Sequence, residues 1–297
     1  MKKLLSSILA VAALVSIQSF AQEAAAEESP SLLAQLKEST SCSIIPTSIK
    51  LSLDYKSRYL SDGRVINPKQ MLFGEIDLNW DFENDGIYVG IWGANDLNDY
   101  NRYSGIKYEP EEFDYYIGYW YEWGDLGDAV KSICLDVSYT YWDYPSRTGW
   151  ECVGEQQNTF TVDVSAPLGV EAIDVKPGVK VNWDPENEKI YGDVYVSLGK
   201  GFEDAKWLSL GTKFELFWGN GNYYVLEHPQ LTTFIWTVSA DATFGNFTIG
   251  PFAQLVWAVG SDTRDFWKER GDFKGVINDN SKSGVNTCYG ISTSFKF

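Results

Sequence analysis

The sequence predicts an all-β protein, a transmembrane antiparallel up-and-down β-barrel of about 12 strands with periplasmic termini. Three observations predict it. Segments of about 9–14 residues in which apolar and polar side chains alternate recur from residue 48 onward. The connections between these segments alternate between short turns and longer loops. The first 21 residues have the features of a secretory signal peptide, so we expect the chain to be exported.

The N-terminus is the first element of this prediction. Lys2 and Lys3 precede a short apolar run, Leu4 to Ile17, and small residues stand at the expected cleavage site, Ser19-Phe20-Ala21. A membrane-spanning helix requires roughly 20 apolar residues, so the run is too short for an anchor. No Cys stands at the cleavage point for a lipid anchor. We therefore expect a cleaved signal peptide, residues 1–21.

The mature chain is predicted to be a short periplasmic lead, residues 22–45, followed by the barrel, residues 46–297. The whole sequence has 41 acidic residues against 24 basic ones, and loss of the two signal-peptide lysines brings the net charge to about −19. Such a charge argues against nucleic acid as a partner, because phosphate binding requires an excess of Lys and Arg. The expected partners are instead the lipid bilayer, the barrel-assembly machinery and small polar solutes, and no cofactor is predicted.

Twelve alternating segments are predicted as strands. Usual strands of globular proteins have 5–6 residues, whereas a strand that crosses a bilayer has about 9–11. The length of the segments therefore favours membrane-spanning strands. In chain order they are SIKLSLDYKSR, LFGEIDLNWDF, GIYVGIWGAND, EFDYYIGYWYEW, SICLDVSYTYW, TFTVDVSAPL, VKPGVKVNW, IYGDVYVSLG, WLSLGTKFELFW, TFIWTVSADATF, NFTIGPFAQLVWAV and the C-terminal segment that ends in GISTSFKF.

The connections support the same topology. Those after the even-numbered segments are short, namely ENDG, GDLGDAVK, GVEA, KGFEDA and GN. Most of the others are longer, including 96–111, 143–157, 219–232 and 260–285, with an exception at 184–189. Short periplasmic turns and longer external loops are typical of outer-membrane barrels. A soluble β-sandwich, the alternative for any single alternating segment, does not account for this segregation.

The last segment places aromatic side chains on its apolar face up to the final residue. Tyr289, Phe295 and Phe297 lie on one parity of the strand, which is predicted to close the barrel against the first strand. We interpret these three residues as the signal that the barrel-assembly machinery recognises.

The apolar parity fixes the outward face, so the opposite parity is predicted to line the lumen. Inward acidic residues outnumber inward basic ones by ten to six across these segments. An outward Lys near the bilayer midplane would cost roughly 2–4 kcal/mol, so the interior is either a hydrated pore or a network of salt bridges. The lumen-lining candidates are Lys50, Asp54, Glu75, Asp77, Asp114, Tyr116, Trp120, Asp136, Asp163, Lys180, Asp193, Lys213, Glu215 and Asp241, with Lys56, Glu122, Lys176 and Lys296 as further inward charges.

The stretch LDYKSRYLSDGRVINPKQMLFGEIDLNWDFENDGIYVGIWGANDLND resembles the opening of the TorF-type putative porins. The resemblance is clearest over residues 50–146 and implies an outer-membrane porin barrel. It departs from the family at Leu60-Ser61-Asp62-Gly63, where the family often has an aromatic-Arg-Gly sequence. A role for that Arg is therefore not transferred to Arg58 or Arg64. The matching positions are Gly63, Gln70, Gly86, Tyr88, Gly90, Trp92, Gly118, Tyr119 and the Tyr144-Pro145 pair.

Catalytic and metal sites are not favoured by the sequence. The single His, His228, lies in a loop without a nucleophile motif, so we interpret it as a surface residue. The acidic pairs Asp96/Asp99 and Glu111/Glu112 lack calcium-loop spacing, and we interpret them as solvated loop residues. No C-x₂-C motif is present for zinc.

The four cysteines are possible disulfide partners. The predicted topology places Cys42 and Cys134 on the periplasmic side, and Cys152 and Cys288 on the external side. A disulfide requires Cα atoms within about 7 Å, whereas opposite ends of a barrel lie roughly 25 Å apart. Bridges are therefore predicted as Cys42–Cys134 and Cys152–Cys288, the alternative being four free thiols.

Three functional hypotheses follow for an outer-membrane barrel. The first is a narrow, porin-like channel for passive diffusion of small solutes, mildly cation-preferring because inward acids outnumber bases. The second is a non-conducting barrel that acts as a structural or surface-interaction protein. The third, an outer-membrane hydrolase, is the least supported, and the protein is not predicted to be an enzyme. The solute is not readable from the sequence.

Overall fold

Twelve strands close into one antiparallel β-barrel in the computed structural model, which describes residues 45–61, 64–67, 70–97, 110–124, 126–143, 157–220, 229–260, 263 and 285–297. Each predicted segment corresponds to one barrel strand, so the predicted barrel is confirmed. The barrel strands are β1 (Ser48–Lys56), β4 (Met71–Asp81), β5 (Asp85–Asp96), β6 (Pro110–Trp123), β7 (Ile133–Asp143), β8 (Gln157–Ser165), β9 (Asp174–Asp184), β10 (Lys189–Gly201), β11 (Leu208–Gly219), β12 (Gln230–Phe244), β13 (Phe247–Ala258) and β14 (Val285–Lys296). The connection between β1 and β4 contains a further, two-stranded sheet of β2 (Tyr59–Ser61) and β3 (Arg64–Asn67), which the sequence did not predict.

The barrel closes where β1 pairs with β14. β1 also pairs with β4, so it has a hydrogen-bonded neighbour on each side. At the closure Lys50 is opposite Lys296 and Leu53 is opposite Thr293, and the amide of Phe297 donates to the carbonyl of Ile49 at 2.9 Å. A closed ring of strands leaves no open edge, which is the condition for a sheet to lie in hydrocarbon.

Apolar side chains cover the outside of the barrel, and polar ones point inward. On β7 the outward Ile133 and Val137 are 37% and 40% exposed, as predicted, whereas the inward Asp193 on β10 and Asn182 on β9 are only 2% and 3% exposed. This distribution is the reverse of that in a water-soluble barrel, whose apolar side chains fill the interior. It is the distribution expected of a barrel surrounded by lipid.

The two ends of the barrel differ in their connections. One end, called here the short-turn end, has the turns 82–84, 124–132, 166–173, 202–207 and 245–246, together with the start of β1 and the end of β14. The other end, called the long-loop end, has the connections 57–70, 97–109, 144–156, 185–188, 220–229 and 259–284. In the part of the chain that the structure describes, no helix is long and apolar enough to span a membrane.

The short connection at the long-loop end has a local cause. The buried Asp184 accepts hydrogen bonds through Oδ1 from the amides of Glu186 and Asn187, both at 3.1 Å. Its Oδ2 accepts from the Asn187 side chain at 2.7 Å, and Glu188 adopts a positive φ of 51°. The side chain of Asp184 thus satisfies the amides of a tight turn, as Asp commonly does. This accounts for the exception in the predicted alternation of loop lengths.

Candidate solute pathway

A cavity of about 740 Å³ lies inside the barrel against the inner faces of β4 to β11. Its wall combines carboxylates, amines, hydroxyls and aromatic rings. Eight of the predicted lumen-lining residues line it, namely Glu75, Asp114, Tyr116, Trp120, Asp136, Asp163, Lys180 and Lys213, and so does Lys176. Further lining residues include Trp92, Ser138, Thr140, Trp142, Thr159, Thr161, Asn182, Tyr191 and Tyr195.

Other predicted lumen residues form ion pairs on the inner wall outside this cavity lining. The Lys50 amine lies 3.7 Å from a carboxylate oxygen of Glu75 and 3.7 Å from one of Asp77. Asp54 lies 3.9 Å from the Lys56 amine and accepts a hydrogen bond from Ser292 at 2.6 Å. These contacts show that part of the inward charge is paired within the wall.

Three remaining candidates lie on the strands that follow β9. Glu215 on β11 accepts a hydrogen bond from the Lys213 amine at 2.6 Å. Asp193 on β10 is buried and lies opposite Lys180 in the register. Asp241 on β12 lies opposite Ser209 of β11. The predicted lumen set therefore extends around the wall, but the structure gathers the cavity-lining part of it on one side.

Inward tyrosines lie over glycines of the neighbouring strand. A Cβ atom at Gly90 would lie closer than 3.0 Å to the ring of Tyr116, and one at Gly118 would lie as close to the ring of Tyr88. The same relation holds between Gly178 and Tyr195. Because glycine has no side chain there, each ring lies against the barrel wall instead of projecting across the lumen.

The hydroxyl groups of these tyrosines bind inward carboxylates. Tyr88 donates to Asp136 at 2.8 Å, and Tyr195 donates to Asp163 at 2.8 Å. Tyr116 donates to Glu75 at 3.0 Å and also contacts Asp77. Sequence reasoning did not identify Tyr88 and Tyr195 as lumen residues. The signal that could have found them is an inward Tyr whose register partner on the adjacent strand is Gly, since Tyr88 is opposite Gly118 and Tyr195 is opposite Gly178.

The cavity charges are segregated by strand. The lining carboxylates Glu75, Asp114, Asp136 and Asp163 come from β4, β6, β7 and β8, whereas the lining amines come from β9 and β11. The boundary lies between β8 and β9, where Asp163 is opposite Lys180. A solute in the cavity therefore meets negative charge on one part of the wall and positive charge on the adjoining part.

The connection after β1 enters the long-loop end of the barrel at Tyr59. This side chain is 4% exposed, and its ring centroid lies 5.2 Å from that of Phe73 and 5.7 Å from that of Trp92. Its hydroxyl donates to Glu112 at 2.7 Å. Glu112 lies in β6 and is only 2% exposed, so its interpretation as a solvated loop residue is wrong. Phe73, Trp92 and Glu112 belong to the inner face of β4, β5 and β6, so Tyr59 narrows the opening on this side.

The preceding residue, Arg58, contacts β14, which is the neighbour of β1 on the side away from β4. Its guanidinium donates to the side-chain oxygen of Asn286 on β14 at 2.9 Å. Its carbonyl oxygen lies 3.5 Å from the thiol of Cys288, a buried residue on the same strand. The dipeptide Arg58-Tyr59 thus has partners on β14 and on β4 to β6.

The described residues test the cysteine and metal predictions only in part. Cys134, at the short-turn end of β7, and Cys288, near the long-loop end of β14, form no disulfide with each other or with another described residue. Cys42 and Cys152 lie outside the described residues, so the two disulfides remain predictions. In the described ranges no group of three or more His, Cys, Asp or Glu side chains is placed to hold a metal ion. His228, Asp99 and the signal peptide also lie outside these ranges.

The aromatic residues of the predicted assembly signal lie on the final strand. Tyr289 is 60% exposed on the outer face, and the rings of Phe295 and Phe297 lie 4.5 Å apart. Phe295 is opposite Leu51 of β1. Their recognition by the assembly machinery remains a prediction.

The barrel is similar to solved bacterial outer-membrane proteins. It matches an outer membrane channel from Pseudomonas putida F1 with a TM-score of 0.52 and 9% identity, over 91% of this chain and 100% of that one. The chain has the fold of an outer-membrane β-barrel. Weaker matches are the KdgM porin, with a TM-score of 0.47, 8% identity and coverage of 84% of this chain and 99% of that one, and LpxR from Salmonella typhimurium, with 0.45, 10%, 84% and 99%. No protein-family model and no curated protein matches the sequence, so the resemblance to TorF-type putative porins remains a prediction.

Proposed function

We propose that the protein is an outer-membrane channel through which small polar solutes diffuse passively. The observation that carries the proposal is the charged and polar wall of the 740 Å³ cavity, inside a closed barrel whose outer face is apolar. Cavities of about 300–1,000 Å³ are the size that small molecules occupy in proteins. The tyrosine rings that lie over glycines support the same conclusion, because they lie against the barrel wall.

The orientation follows from the two unequal ends. In outer-membrane barrels short turns face the periplasm and longer loops face outward. We therefore place the short-turn end, with both ends of the barrel chain, in the periplasm. This placement requires export, directed by the signal peptide, and insertion by the barrel-assembly machinery. The outer face of the inserted barrel contacts the lipid bilayer.

A mild preference for cations follows from the charges of the cavity. Four carboxylates and three amines line it. One of the carboxylates, that of Glu75, forms an ion pair with Lys50 at 3.7 Å, and one of the amines, that of Lys213, forms an ion pair with Glu215 at 2.6 Å. Rings of carboxylates in a pore favour cations. The small excess of negative charge supports a preference of modest size.

A second candidate function is a non-conducting barrel with a structural or surface-interaction role. The observation that favours it is the apolar contact of Tyr59 with Phe73 and Trp92 at the long-loop end, which narrows one side of the opening.

Conductance in planar lipid bilayers separates the two functions. The purified full-length protein should produce reproducible open steps, and a KCl gradient should give a reversal potential of the sign expected for cation preference. A preparation denatured by heat provides the control for detergent artefacts. Silence at high protein load would contradict the channel and support the non-conducting barrel. The Asp136→Asn/Asp163→Asn double variant should lower the preference for cations without abolishing the steps.

A further inference from the structure

Three charged side chains lie side by side on adjacent strands of the cavity wall. Asp136 on β7 is directly opposite Asp163 on β8, and Asp163 is directly opposite Lys180 on β9. Lys180 is in turn opposite the buried Asp193 on β10, which does not belong to the cavity lining. Neighbouring strands are about 4.8 Å apart, so the cavity presents a pair of carboxylates and an amine at one level of the wall. Lys176 lies four residues from Lys180 on the same strand and also lines the cavity.

The two lysines of β9 differ from three other inward lysines of the described residues. Lys50, Lys56 and Lys213 each lie within 4.0 Å of a carboxylate. Among the described residues, neither Lys176 nor Lys180 has such an ion pair, although both attract the Asp136 carboxylate through space. Their amines are therefore available to an anionic group of a solute.

Each of the two aspartates binds one tyrosine hydroxyl. Asp136 accepts the hydroxyl of Tyr88 at 2.8 Å, and Asp163 accepts that of Tyr195 at 2.8 Å. A carboxylate has two oxygens and about four acceptor positions, so one hydroxyl leaves room for a further donor. A neutral hydroxyl also fixes the position of the carboxylate without cancelling its charge.

From this juxtaposition we infer that the lumen has a binding site for zwitterions of the α-amino-acid type. The inference rests on the proposed channel function, because the solute must enter the barrel. The ammonium group of the solute faces Asp136 and Asp163, and its carboxylate faces Lys180 and Lys176. In an α-amino acid the ammonium and carboxylate groups are attached to the same carbon atom. One group can therefore face the aspartates of β7 and β8 while the other faces the lysines of β9.

Solutes with a single charge or no charge interact with only part of this site. A simple cation is attracted by the aspartates and repelled by the adjacent lysines, and the opposite holds for a simple anion. An uncharged solute gains neither interaction. The adjoining charges of opposite sign therefore favour zwitterions over each of the other classes.

Uptake into proteoliposomes tests the inference with four radiolabelled solutes of similar size at micromolar concentration. They are alanine as the zwitterion, lactamide as the neutral solute, lactate as the anion and isopropylamine as the cation. Full-length wild-type protein should take up alanine about three- to fivefold faster than lactamide, the ratio expected from one or two solvated ion pairs. The Lys176→Gln/Lys180→Gln variant, and separately Asp136→Asn/Asp163→Asn, should bring this ratio close to one.

Lys56→Gln is the matched control. It removes one inward amine from β1 that is paired with Asp54, and because neither residue belongs to the cavity lining it should leave the ratio as in the wild type. Equal wild-type uptake of alanine and lactamide would overturn the zwitterion site and leave the channel standing, as would faster uptake of lactate than of alanine. Uptake of none of the four solutes would overturn the channel itself. If a variant fails to insert, as judged by its heat-dependent gel mobility, the wild-type ratios decide alone.

Discussion

At Gly90 and Gly118 the absence of a side chain sets the width of the lumen. The rings of Tyr116 and Tyr88 occupy the space that a Cβ atom would take, and their hydroxyls reach carboxylates on nearby strands. The alternation of the sequence predicted that Tyr116 faces inward. It did not predict that the ring lies against the wall, because this depends on which residue the barrel register places opposite it.

We expect Gly90→Ala to narrow the lumen and destabilise the barrel. The added Cβ would lie closer than 3.0 Å to the Tyr116 ring, which must then turn toward the centre. Overpacking of this kind costs roughly 1–3 kcal/mol. Single-channel conductance should fall, and the temperature at which the folded gel band is lost should fall as well. Gly199→Ala is the matched control, because its Cβ would make ordinary contacts at 3.5 Å with Asp174.

A second substitution tests whether the contact of the new Cβ atom with the Tyr116 ring causes the loss of conductance in Gly90→Ala. Removing the ring with Tyr116→Ala should restore much of the conductance lost in Gly90→Ala. If Gly90→Ala alone conducts and melts as the wild type does, the ring does not depend on the glycine and the account of the lumen width is wrong.

At the scale of elements, the strands and the lengths of most connections were predictable, whereas the structure within the connections was not. A lipid-facing strand has a fixed length and strict alternation, so β7, for example, is evident from Ile133, Leu135 and Val137 against Asp136 and Ser138. The β2–β3 sheet and the inward contact of Tyr59 have no such signal. They depend on contacts between segments that are distant in sequence, such as the hydrogen bond between Tyr59 and Glu112.

The closing strand carries a prediction about assembly. Phe297 continues β14 beside β1 through its hydrogen bond to Ile49, and its ring contacts that of Phe295. Replacement by Asp removes the aromatic contact and places a charge at the closure, where lipid does not tolerate an open edge. We expect Phe297→Asp to lower the amount of barrel in the outer membrane and to leave protease-sensitive protein in the periplasm. Cell fractionation measures both quantities, Phe297→Tyr is the conservative control, and wild-type levels of the Asp variant would refute the proposed signal.

The connection after β1 carries a prediction about conductance. Tyr59 is held by Phe73, Trp92 and Glu112 at the long-loop end. Tyr59→Ala removes the ring that narrows this opening, so single-channel conductance should rise, while Tyr289→Ala on the outer face should leave it unchanged. An unchanged conductance in Tyr59→Ala would show that the narrowest part of the pathway lies elsewhere. A wild-type protein that is silent while Tyr59→Ala conducts would identify Tyr59 as part of a closed opening.

The barrel as a whole has an apolar outer face toward hydrocarbon and a polar inner face toward the lumen. Its closed ring of strands satisfies the backbone, its outer face meets hydrocarbon, and its inner face keeps charges hydrated or paired. Sequence alternation predicts this polarity for every strand, because it depends on each strand alone. The segregation of acidic and basic residues around the cavity depends on the order of strands in the ring and became evident only from the structure.

The ionic strength should control the selectivity of the whole channel. The chain has a formal net charge of −17, and the cavity contains an excess of carboxylates over amines, so long-range attraction adds to the local preference for cations. Electrostatic attraction extends about 30 Å in 0.01 M salt but only about 3 Å in 1 M salt. Reversal potentials measured in KCl gradients at these two levels give the permeability ratio of K⁺ to Cl⁻. This ratio should be clearly above one at low salt and close to one at high salt. A preference that does not change with salt would indicate selection by direct coordination at a narrow filter, and a preference for Cl⁻ would show that the lysines of β9 and β11 dominate the pathway.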